Sequence, residues 1–150
     1  QTPGEAKLME VDLNDSVLLP VLALIVWSLI VWAWMYALRI PAMQKAGIRP
    51  DDARHPGSLD ALPASARQVA DNYNHLMEQP TIFYALAFFV VLAGHDGGLA
   101  VTLAWAYVGL RVVHSLIQNT VNRVMLRFLV FSISTLVLVV WAVRELMAVL

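Results

Sequence analysis

The sequence predicts an all-α integral membrane protein built as a four-helix bundle, and three observations carry that prediction. Composition is the first: 59% of the 150 residues are hydrophobic and only 14% are charged, against about 25% charged in soluble domains. Run length is the second. Val17–Leu38 holds one Ser, one Pro and no charge, and Thr81–Gly94, Gly98–Leu110 and Phe128–Val143 are also free of charge. Such runs approach the roughly 20 apolar residues that a bilayer core about 30 Å thick requires. The third is that the remaining polar residues recur at helical spacing, beginning with Arg67, Asp71, Asn74 and Glu78.

Residues 1–15 are polar and acidic, with Glu5, Glu10, Asp12 and Asp15 against Lys7. They read as a surface segment ahead of the membrane domain, which is expected over residues 16–150. Without a basic segment before the first span, no signal peptide is predicted. Asp15 or Ser16 can cap the first helix. That helix is expected over 16–43, with Pro20 in its first turn, where proline is tolerated. Trp27, Trp32 and Trp34 lie around it as lipid and packing contacts. Arg39 and Lys45 mark its exit, and Pro41 is a candidate kink.

Residues 47–63 contain two glycines, three prolines and mixed charge, which argue for a loop. The second helix is expected over 64–93, interrupted at Pro80, which frees a backbone carbonyl and invites a kink. Residues 94–98 (GHDGG) form a tight turn. The third helix is expected over 99–118 and the fourth over 122–147.

Eight of the ten basic residues fall at the end that carries the first loop and the last turn. By the positive-inside rule that end is cytoplasmic, and both termini lie on the other side. A net charge of −1 gives no general attraction to nucleic acid, and the absence of Cys removes thiolate nucleophiles and Cys-ligated metals. No nucleotide loop, zinc motif or nucleophile triad is visible, and no metal site is predicted.

In a helix, Arg67, Asp71, Asn74 and Glu78 share one face, with His75 at its edge. Arg111, His114 and Gln118 share a face of the third helix by the same spacing. Arg123 and Arg127 lie one turn apart at the entry of the fourth. Polar stripes in apolar helices are costly unless they face one another or a water-filled cavity, so the three are expected to meet. Arginine in excess of carboxylate suits an anionic ligand bearing carboxylates. Paired histidines, His75 and His114, on facing helices leave a haem reading open.

The runs DNYNHLMEQPTIFYAL and RVVHSLIQNTVNRVMLRF resemble those of the MAPEG family, membrane-associated proteins of eicosanoid and glutathione metabolism, and of its bacterial members most closely. The resemblance covers the second to fourth helices. It implies a homotrimer, here in a bacterial inner membrane, that binds glutathione between subunits. The glutathione thiolate, stabilised by an arginine of the fourth helix, then attacks a lipophilic electrophile. By position, Arg67, Asn74 and Glu78 match glutathione contacts on the second helix, and Arg111, His114 and Gln118 match contacts on the third. Arg123 or Arg127 matches the thiolate-stabilising arginine. A nearby cation lowers a thiol's pKa, and the thiolate is the nucleophile. His114 and Gln118 stand where mammalian relatives carry tyrosines. The family also includes a non-catalytic lipid binder, so the alternative to a glutathione-dependent transferase or peroxidase is a lipid-binding protein or an accessory subunit of a larger membrane complex.

Overall fold

The computed structural model describes residues 12–55 and 57–150. Most of the expected N-terminal segment, residues 1–11, lies outside the described residues; Leu13–Asp15 forms a single 3-10 turn.

Helix α1 spans Leu18–Lys45. Pro20 is its third residue, where a missing N–H costs no intrahelical bond. Pro41 lies inside the helix, which continues through it to Lys45. The helix stops at Gly47, which takes φ +67°, a left-handed value that costs a glycine little. There Gly47 N–H bonds Gln44 O at 3.2 Å and Ile48 N–H bonds Met43 O at 3.0 Å, so two otherwise free carbonyls are satisfied.

Helices α2 (Ala64–Glu78) and α3 (Pro80–Leu92) are separated only by Gln79, which itself keeps helical angles of −60° and −36°. The expected interruption at Pro80 is therefore a break in the hydrogen-bond ladder rather than a turn, and Ala64–Leu92 acts as one span. Gly94 (φ +72°) ends α3 as Gly47 ends α1, with His95 N–H bonding Val90 O at 2.9 Å. Helix α4 covers Leu99–Asn119 and α5 covers Val124–Val149. Among the described residues four helical stretches are thus long and apolar enough to cross a membrane, and the protein is an integral membrane protein surrounded by lipid.

α4 sits centrally, packed against α1, α2 and α5. Its small Ala100 and Ala104, both fully buried, permit close approach. The core is sealed by aromatics: Phe83 stacks on Tyr107 at 4.8 Å and meets Trp141 edge-on at 6.0 Å. Outward faces carry exposed Leu29, Phe88, Phe128 and Leu136 toward lipid, along with Trp32, which stacks edge-on with Tyr36.

The end bearing the termini is tied by polar contacts. Asp96, in the α3–α4 turn, accepts from Ser16 Oγ at 2.6 Å and Val17 N–H at 2.8 Å, and so caps α1 from a distance. Buried Glu145 on α5 accepts from His95 Nδ1 at 2.7 Å and from Arg144 Nη1 at 2.8 Å. Ser16, one of the two residues expected to cap α1, also accepts from the Leu18 N–H at its Oγ at 3.1 Å.

Candidate functional site at the loop end

α2 carries three distinct faces, and their neighbours decide what each can do. Its apolar face holds Ala66, Val69 and Leu76, all buried in the core. A second face holds Gln68, Asn72, His75 and Gln79, which repeat at spacings of four, three and four. This face meets α4 and α5. Gln68 Nε2 donates to Asn119 O at 3.1 Å, and Asn122 Nδ2 donates to Gln68 Oε1 at 3.1 Å. Gln79 joins Tyr107 of α4 at 3.3 Å to Thr135 of α5 at 2.9 Å. The third face is the stripe Arg67, Asp71, Asn74 and Glu78, and all four are exposed.

This corrects one expectation of the sequence. The three predicted stripes meet only in part within the chain: at one end of the α2 stripe His75 packs against His114 and Glu78 lies within electrostatic range of Arg111. Arg111, His114 and Gln118 are buried on α4, and half-buried Arg127 lies beside them, within electrostatic range of His114. Arg67, Asn74, Glu78 and Arg123 are exposed. The 3.6-residue repeat shows that residues share a face but not which neighbour that face meets. The inward face is the adjacent stripe, offset by one residue and made mostly of uncharged amides.

Arg111 is fully buried. Its Nη2 donates to His75 O at 3.0 Å, and its guanidinium carbon lies 5.5 Å from the centre of the Phe131 ring. Among the described residues its Nε and Nη1 have no hydrogen-bond partner, and neither do His114 Nδ1, Gln118 Oε1 or Arg127 Nε. The rings of His75 and His114 meet edge-to-face at 5.9 Å. His75 and Glu78 form a solvent-side pair at 3.4 Å.

Outside this buried group lies a polar cleft of about 460 Å³ between the α1–α2 loop and α2. Arg39, His55, Asp60, Arg67, Asp71 and Asn74 line it, and Gln68 and Asn122 link it to the α2–α4 seam. Arg39 and His55 were legible in the sequence only as loop and exit residues; no spacing joins them to Arg67.

α5 begins beside this cleft. Arg123 is its N-cap and Arg127 lies one turn in. The first turn holds no acidic residue, and no side chain caps it. Two arginines beside the partial positive charge of a helix N-terminus repel it and make an anion there favourable.

No curated protein and no solved structure gives a match to the chain. Residues 17–147, nearly the whole of the described bundle, match the MAPEG family, and the chain belongs to that family of membrane proteins of glutathione and eicosanoid metabolism.

Proposed function

We propose that the protein binds glutathione at its loop end and directs the thiolate at lipophilic electrophiles, as a transferase or peroxidase. The observation that carries this reading is the mixed-charge cleft. Glutathione carries two carboxylates and one ammonium, and the cleft is lined by two arginines and two aspartates. Its volume of about 460 Å³ falls in the range of small-ligand sites, about 300–1,000 Å³. Arg67 and Asn74 contact the peptide, with Glu78 one turn further along. Arg111, His114 and Gln118 do not line the cleft but back it from α4, and Arg127, or Arg123 beside it, stabilises the thiolate.

The remaining parts of the reading follow from the same face. Exposed Glu78 and Arg123 on membrane helices call for a neighbouring chain, in keeping with a homotrimer that completes the site. The loop end is cytoplasmic and the membrane is a bacterial inner membrane. The test is calorimetric titration of glutathione into the detergent-solubilised protein. Saturable binding supports the reading, and no binding at millimolar glutathione overturns it.

A second reading, non-catalytic binding of a lipophilic molecule, has its own observation. An open apolar groove of about 560 Å³ runs between α1 and α4, lined by Trp27, Trp105 and Gly109.

A further inference from the structure

α2 and α4 run antiparallel, and two hydrogen bonds fix their register: Gln68 to the Asn119 carbonyl, and Arg111 to the His75 carbonyl. One turn on from Gln68 is Asn72; one turn back from Asn119 is Ser115. Asn72 therefore stands level with Ser115, between the two ties. Both are fully buried, and Asn119 is 6% exposed. Yet neither amide atom of Asn72, neither amide atom of Asn119, nor Ser115 Oγ has a hydrogen-bond partner among the described residues. A mid-helix serine commonly bonds back to its own helix, as Ser28 does to Leu24 O at 2.8 Å. Ser115 does not, so its hydroxyl is free for another partner.

We propose that the seam between Asn72 and Ser115 is an internal water site that continues to the free Nε and Nη1 of Arg111. The donor set selects the occupant. Two amides and a hydroxyl offer acceptors as well as donors, which disfavours an anion, while an apolar occupant would leave every one of them unpaired. Seven unpartnered atoms, five from Asn72, Ser115 and Asn119 and two from Arg111, correspond to about two waters at about three bonds each. These waters solvate the Arg111 guanidinium, which no carboxylate of the chain pairs by hydrogen bond or salt bridge among the described residues. The site does not depend on glutathione binding, since it lies behind the cleft and is filled in the ligand-free protein.

The direct test is a structure of the ligand-free protein in lipid nanodiscs at a resolution that reveals ordered water. The expected result is density about 2.7–3.2 Å from both an Asn72 amide atom and Ser115 Oγ. Asn72 bonded straight to Ser115 with nothing between them overturns the proposal, and so does elongated density of a lipid or charged ligand. Asn72→Leu, close in size, gives a second arm. In a hydrated seam it expels water and lowers Tm by roughly 3–6 °C. In a dry seam it removes an unpaired amide, and an unchanged or raised Tm overturns the proposal. Should the variant fail to fold, the density measurement decides alone.

Discussion

Asp96→Ala tests how the end bearing the termini is held. Asp96 accepts three bonds: from Ser16 Oγ at 2.6 Å, from Val17 N–H at 2.8 Å and from its neighbour Gly97 N–H at 3.0 Å. The bond to Val17 serves as the N-cap of α1, and losing such a cap costs about 1 kcal/mol and up to about 2. Ser16 and Val17 are almost wholly buried, so their donors cannot turn to water. An unpaired buried donor costs about 1–3 kcal/mol. These effects overlap, and together they amount to about 3 kcal/mol. For a chain of this size that corresponds to a fall in Tm of about 6–12 °C. Asp96→Asn keeps one acceptor oxygen, so its loss is smaller, about 1 kcal/mol or 2–4 °C. The assay is thermal unfolding in detergent followed by tryptophan fluorescence, with Trp141 reporting from the core. A fall below about 2 °C for Asp96→Ala refutes the clamp. So does strict additivity of Asp96→Ala with Ser16→Ala, because a shared hydrogen bond must appear as coupling.

Two further substitutions follow from the packing. Glu145→Ala removes the acceptor shared by His95 and Arg144, both of which reach solvent, and is expected to cost about 2 kcal/mol; adding His95→Ala should then change Tm little further. Gly109→Leu fills the α1–α4 groove, where a Cβ meets nothing within 4 Å. It should leave Tm unchanged or raised by a few degrees through helix propensity, while native mass spectrometry shows fewer retained lipids per chain if the groove is a lipid site.

The number of spans and their approximate limits were legible because each is a long uncharged run, and run length alone dictates a membrane helix. The Gly-rich turns were legible because α3 must stop where Gly94 takes a left-handed angle. The limits shifted by one to two residues at most ends, and α1 ran through Pro41. The arrangement of the candidate site was legible in part. Arg111, His114 and Gln118 share a buried face because polar residues on an otherwise apolar helix must turn inward. α2 was harder, since it carries two polar stripes side by side. Charge drew attention to Arg67, Asp71, Asn74 and Glu78, yet burying three charges is costlier than burying amides. The amide stripe of Gln68, Asn72 and Gln79 therefore faces α4 and α5, and the charged one turns out. The cleft was hidden for a different reason: Arg39 of α1 and His55 of the α1–α2 loop line it together with Arg67, a juxtaposition no periodicity encodes.

The central claim is that an arginine at the start of α5 holds a glutathione thiolate. The most direct measurement is the ultraviolet thiolate absorbance of glutathione titrated into the purified protein at neutral pH, with Arg127→Ala and Arg123→Ala in parallel. Arg127 is half-buried beside His114 with an unpartnered Nε, whereas Arg123 is exposed. The account predicts a saturable thiolate signal that Arg127→Ala abolishes and Arg123→Ala retains. A signal unchanged in Arg127→Ala, or none in the unmodified protein, would contradict it.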